Sequence, residues 1–124
     1  MTIREAIDTA DRLKPNQYDY DTKVQWLSNL DGMIFREVIK THDRQPMEMF
    51  HGYEKSDSDT PLLIPFPYDD DVYVSYLHSQ IDKANGETAK YNASATQFNA
   101  AYIRFQDWYG RTHRCLPMRS QFKI

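Results

Sequence analysis

Cysteine is almost missing from this chain. Its 124 residues hold one, Cys115, so no internal disulfide can form and no CxxC-type metal site exists. A reducing compartment is the natural expectation. Glycine is scarce too: with four in all, a phosphate-cradling loop is hard to build, and no GxSxG, GxGxxG or P-loop signature occurs. No apolar run approaches the roughly 18 residues that span a bilayer. The opening "MTIREAIDTADRLK" is charged throughout and does not read as a signal peptide, which predicts synthesis in the cytosol. His42, His51, His78 and His113 include no pair at HExxH or HxH spacing, so each reads as a surface or packing residue rather than a zinc ligand. Cys115 sits beside Arg114, which favours its thiolate somewhat, but no base can be assigned to it. These absences predict a protein that is not an enzyme, with no metal and no cofactor.

Acidic charge is what the C-terminal end lacks. From Arg111 to Ile124 there are four basic residues, Arg111, Arg114, Arg119 and Lys123, with His113 among them and no acid. Net charge is −3, so residues 1–110 carry eleven basic against eighteen acidic residues, a charge of −7. That body is unsuited to general DNA binding, whereas the basic tail suits an acidic partner. Aromatics are plentiful. Nine tyrosines supply rings that are apolar with a polar tip, as interfaces favour.

The chain is long enough for one domain with a real core. Thr2 and Glu5 have capping-box spacing, and Ile3, Ala6, Ile7, Ala10 and Leu13 then recur at helical steps until Pro15. A second helix is predicted from Thr22 to about Thr41, with Asp21 as its N-cap. Val24, Leu27, Leu30, Ile34 and Val38 form its buried stripe, widened by Trp26 and Met33, and only Gly32 interrupts it. Residues 43–68 hold four prolines, Pro46, Pro61, Pro65 and Pro67, and no helical period. A stretch of that length without regular structure is usually functional or mobile. Within it "MEMFHGY" and "PLLIP" read as extended, and pairing them around "SDSD" makes a short β-hairpin.

Asp69, Asp70 and Asp71 look at first like a cation site. Consecutive helical residues point about 100° apart, however, and no EF-hand spacing surrounds them. Acids at a helix N-terminus satisfy free N–H groups and complement the dipole, so the three predict a helix start. Tyr73, Leu77, Ile81 and Ala84 follow on one face. Asn85-Gly86 suits a helix C-terminus, and Tyr91, Ala95, Phe98, Tyr102, Phe105 and Tyr109 then hold a heptad seam. Two antiparallel helices joined at Asn85-Gly86 are the simpler reading; one long helix kinked at Gly86 is the alternative. Ile103 and Trp108 lie off the seam and imply a second buried face, which an oligomer would explain. The predicted fold is mainly α, a small helical bundle with a long C-terminal helical hairpin and an extended 43–68 loop. Residues 1–110 form its domain and 111–124 its basic tail.

The stretch "LLIPFPYDDDVYVSYLHSQIDKANGETAKYNASATQFNAAYIRFQDWYGRTH" resembles the head–tail connector (adaptor) proteins of tailed bacteriophages and prophages. The likeness rests on the proline-bounded apolar segment, "YDD" opening a helix, "NGE" at the helix junction, "YN" and "FN" along the next helix, and "RTH" before a basic tail. It covers roughly residues 62–124, and none of its motifs is catalytic. The resemblance implies a structural virion protein of the neck between capsid and tail, made in the bacterial host cytoplasm. It implies a homo-oligomeric ring, commonly twelve-fold, that docks on the portal protein and meets a stopper or tail-completion protein. DNA would pass through the ring without sequence-specific binding, and no membrane is involved. Carried onto this chain, portal binding falls to Arg111, His113, Arg114, Arg119, Phe122 and Lys123. Contacts between subunits fall to Leu62, Leu63, Ile64, Phe66, Trp108 and Tyr109. The rival expectation is a soluble helical protein-binding or regulatory module of a prophage or host, monomeric or dimeric.

Overall fold

The computed structural model describes residues 1–116. Helix α1, Ile3–Leu13, starts where the capping box sets it. The Glu5 N–H donates to Thr2 Oγ1 at 3.2 Å and the Thr2 N–H to Glu5 Oε1 at 2.8 Å, so two otherwise orphaned donors are satisfied reciprocally. Those hydrogen bonds hold the Glu5 carboxyl below its usual range. Ile3, Ala6, Ile7 and Ala10 are buried, but Leu13 is exposed. It lies about 80° round the helix from Ile3, at the edge of the stripe and in the last turn.

Helix α2, Tyr20–Ile34, begins two residues before the predicted start, because Asp19 and not Asp21 is the N-cap. Asp19 has extended backbone, and its carboxylate accepts the Thr22 N–H at 2.9 Å. The helix does not run evenly to Thr41. At Phe35–Ile39 it widens into a π turn, in which Lys40 N–H donates to Phe35 O at 2.8 Å. The extra residue per turn lets Phe35, Val38 and Ile39 all face the core.

Helices α3, Asp69–Ala84, and α4, Thr88–Thr112, form the antiparallel hairpin, and the single kinked helix is excluded. Gly86 has φ +74, Glu87 N–H donates to Asp82 O at 3.0 Å and Gly86 N–H to Lys83 O at 3.1 Å. That is a Schellman cap, which needs a left-handed residue at this position. Tyr73, Leu77 and Ile81 are buried as the spacing predicts, while Ala84 is exposed at the helix end. On α4 the buried line runs through Ser94, Ala101, Phe105 and Tyr109. The predicted seam is thus turned slightly: Tyr91, Ala95, Phe98 and Tyr102 flank the line, half-buried. Their rings continue along the hairpin, with Tyr76 on Phe98 at 5.2 Å and Phe98 on Tyr102 at 5.6 Å.

The β-hairpin within 43–68 does not form; among the described residues there is no β-strand. Each half is held elsewhere. "PLLIP" runs beside the N-terminus: Leu62 N–H donates to Met1 O at 2.9 Å, and Ser58 O and Thr60 O accept the free N–H groups of Arg4 and Ile3. Two of the orphan donors of α1 are satisfied in this way. Leu62 and Ile64 then enter the core. "MEMFHGY" packs on α2 instead, through Phe50 and Tyr53. A short 3-10 turn, Lys55–Asp57, separates the two. Among the described residues the bundle has four α-helices, with the core between α1, α2 and the hairpin. Among the described residues no helix is long and apolar enough to cross a membrane.

Gly52 has φ +88, and a Cβ there would meet Ser28 Oγ at 2.8 Å. That oxygen accepts the Tyr53 N–H, so Gly52→Ala strains the backbone and disturbs a bond at once. We expect it to cost about 2–3 kcal/mol in urea unfolding. Gly86→Ala, with open space around it, should cost about 1 kcal/mol.

Candidate docking groove

A groove of about 540 Å³ opens between α2 with its π turn and residues 49–52, which belong to no helix or strand. Ser28, Asn29, Gly32, Met33, Arg36, Glu37 and Lys40 line one wall; Met49, Phe50 and Gly52 line the other. Local sequence makes both. Gly32 has no side chain, so the Phe50 ring can lie across the helix, 4.0 Å from where a Cβ would stand. Phe50 stacks on Phe35 at 6.4 Å and meets the Tyr53 ring edge-on at 5.0 Å. The π turn brings Arg36 and Lys40 to the same groove, and π turns of this kind recur at functional sites.

Behind that wall lies a polar hub which the sequence reading missed. Asp31 is fully buried. Tyr73 OH donates to its Oδ1 at 2.6 Å, Leu63 N–H to its Oδ2 at 3.1 Å, and Tyr53 OH donates to Oδ2 as well. Tyr73 OH in turn accepts the Ile64 N–H at 2.9 Å. One carboxyl therefore ties α2 to α3 and to both ends of the 53–64 segment. Burial pushes its pKa up to about 6, against the hydrogen bonds, which pull it down. Burial, and then the Asp31 charge, holds the Tyr53 and Tyr73 phenols well above their usual range. The hub is sealed from solvent, so its chemistry is structural. A faint signal existed: an aspartate set beside Leu30 and three residues before Ile34, inside a broad apolar stripe.

The three acidic residues at 69–71 divide. Asp69 is buried; its Oδ2 takes the Met1 ammonium at 3.0 Å, and its Oδ1 accepts the Asp70 N–H at 2.8 Å. Asp70 and Asp71 are exposed. All three lie in the first turn of α3, as a helix start requires, although the N-cap is Tyr68. Among the described residues no group of three His, Cys, Asp or Glu side chains is placed to hold a metal ion.

The residues named for contact between subunits are scattered by the fold. Leu62 and Ile64 are buried in the core of their own chain: Pro61 bridges to Thr2 and Leu62 N–H donates to Met1 O, while Ile64 N–H donates to Tyr73 OH. Leu63 is half-buried over Asp31. Phe66 is 85% exposed. Trp108 is half-buried against Tyr68 at 5.3 Å, and Tyr109 is buried, with the His113 ring stacked on it at 3.8 Å.

The tail begins as part of the fold. Arg111 closes α4 and is exposed, but Asp43 N–H donates to Arg114 O at 2.8 Å and Leu116 N–H to Thr41 O at 2.8 Å. Arg114 N–H donates to the Asp43 carboxylate at 2.9 Å. Residues 114–116 are thus stitched to residues 41–43, which follow the π turn. Arg119, Phe122 and Lys123 lie outside the described residues.

No protein-family model, curated protein or solved structure matches this chain. The groove therefore has to be read from its own chemistry.

Proposed function

We propose that this chain is a helical protein-binding module that acts by docking, with the α2 groove as its docking site. The groove is the observation that carries this reading. Its volume falls in the range of roughly 300–1,000 Å³ usual for binding clefts, its floor is apolar and its rim charged, and Met49 stands 64% exposed at its edge. Among the described residues Ser28 Oγ accepts the Tyr53 N–H and makes no hydrogen bond to a His, Asp or Glu side chain. A photo-crosslinking residue at Met49 should capture one discrete partner in the native cell, while the same residue at exposed Asn92 on α4 should not. Absence of any adduct from position 49 overturns the reading.

The resemblance over residues 62–124 favours a narrower form of it, a head–tail connector ring on a phage portal. Exposed Phe66 and Ile103 support it, since large apolar side chains left uncovered on one chain suit a neighbour's surface. In this form the basic tail docks on the portal through its charge. The tail should be cut after Leu116, because residues 113–116 belong to the fold. We expect the 1–116 chain to keep its helical spectrum, lose portal binding and give no ring mass on the portal. Undiminished portal binding by the 1–116 chain sinks this form and leaves the broader one intact.

A further inference from the structure

We infer that the α2 groove takes an extended, acidic segment of a partner protein, added as a strand alongside Met49–His51. The inference rests on the protein-binding reading of this groove and names the chemistry of what fills it.

Three observations meet here. The first is a free backbone edge. From Met47 to Gly52 no backbone N–H or C=O makes a hydrogen bond to another described residue. Phe50 and Tyr53 nevertheless pin the stretch to α2 by side-chain contacts with Phe35, Asp31 and Ser28. Such an edge, held in place yet unpaired, is a template for another extended chain. At about 3.3 Å per residue, Met49–His51 offers a pairing length of about 10 Å.

The second is the apolar lining. Met33, Phe35, Met49 and Phe50 face the groove, and methionine adapts to varied apolar side chains. A strand presents alternate side chains to opposite faces, so every second residue of the incoming segment would fall on this floor.

The third is charge. Residues 1–110 carry −7, yet the groove is lined by two cations, Arg36 and Lys40, and one anion, Glu37. A net positive groove in an acidic body selects an acidic segment and rejects a basic one. That excludes the chain's own tail as the occupant, since Arg111, Arg114, Arg119 and Lys123 have the wrong sign. The "SDSD" tip of a second copy has the right sign but no apolar residue to alternate with it.

The test is selection from a random heptapeptide display library against the intact 124-residue chain, followed by amide hydrogen exchange with the best synthetic peptide. Enriched peptides should alternate apolar residues with Asp or Glu, and binding should weaken steeply with added salt. Amide exchange at Met49–His51 should slow when the peptide is bound. Arg36→Glu/Lys40→Glu, two exposed changes in the π turn and at the residue that caps it, should weaken binding at least about tenfold, equivalent to about 1.4 kcal/mol, with an unchanged far-ultraviolet spectrum. His51→Pro removes one unpaired N–H from the edge and should weaken binding, whereas His51→Ala should not.

No enrichment, enrichment of peptides without an acid, or exchange at Met49–His51 that does not change on binding each overturns the inference. So does a synthetic 111–124 peptide that binds as tightly as the acidic ones. If crosslinking at Met49 captures a partner while peptide selection fails, the protein-binding reading stands and the strand chemistry falls.

Discussion

Asp31→Ala is expected to destabilise the protein by about 3–5 kcal/mol at pH 4.5, read as a large fall in the urea midpoint. The change leaves Tyr73 OH, Tyr53 OH and Leu63 N–H without their acceptor, and each buried polar group left unpaired costs about 1–3 kcal/mol. The effect depends on pH in a defined sense. The Asp31 pKa is raised from the ordinary 3.8 to about 6 in the folded protein, so the native state holds this proton more tightly than the unfolded chain. The stability it contributes is fully present below 3.8 and is lost as pH rises through about 6. That loss is about 3 kcal/mol, at about 1.36 kcal/mol for each pKa unit. The gap between wild type and Asp31→Ala should therefore narrow by about 2 kcal/mol between pH 4.5 and pH 7.5, the first part of the loss falling between about pH 3 and pH 4.5. A gap that widens as pH rises shows that hydrogen bonding, not burial, sets the state of this carboxyl. Asp31→Asn, which fills the same space without titrating, should differ from Asp31→Ala by an amount that does not change with pH, while its gap to wild type narrows as the alanine variant's does.

Lys14→Met is expected to bring a further, independent loss of about 2–4 kcal/mol, somewhat less than breaking a fully buried pair, since the lysine end is 30% exposed. Lys14 Nζ donates to both oxygens of Asp82, at 2.8 and 2.7 Å, and Ser94 Oγ donates to Asp82 Oδ2 at 2.9 Å. Asp82 is 1% exposed. Removing the lysine strands that carboxylate where water does not reach it, and the ammonium's apolar replacement offers no donor. Ser94→Ala removes only one hydrogen bond to a charged group and should cost about 1.5–3 kcal/mol. In Lys14→Met/Asp82→Leu no unpaired charge is left, so most of the loss should be recovered. A double-mutant cycle by urea unfolding reads the coupling directly, and a double variant no more stable than Lys14→Met shows that the charge was not the cost.

Much of the site's framework was legible in the residues. Thr2 and Glu5 announced α1, the three aspartates announced α3, and Asn85-Gly86 announced the turn of the hairpin. Each is a local pattern, written over a few neighbouring residues. The groove was not legible. Its two walls come from residues 28–40 and 49–52, and what joins them is a set of contacts that no helical or strand period encodes. Phe50 on Phe35 and Tyr53 on Ser28 and Asp31 are side-chain choices made in the folded state. Asp31 left only the trace of an acid inside an apolar stripe, and nothing local marked its two tyrosines, 22 and 42 positions further on. The apolar segment Leu62–Pro67 was legible only in part, for the same reason. Proline kept it out of a helix, as read, but extended backbone can pair with any edge, and the nearest was the chain's own N-terminus.

By itself the sequence determined where α1 and α3 begin and marked Asn85-Gly86 as a helix end, because caps, apolar spacing and a left-handed glycine act within a few residues of where they are written. The start of α2 and its π turn were not legible. Only the tertiary structure decided that residues 46–67 lie over the bundle, that Asp31 is sealed and protonates more readily than an ordinary carboxyl, and that a basic groove opens in an acidic body. Those outcomes depend on burial and on partners dozens of residues away. Desolvation and long-range hydrogen bonding exist only once the chain has closed around them.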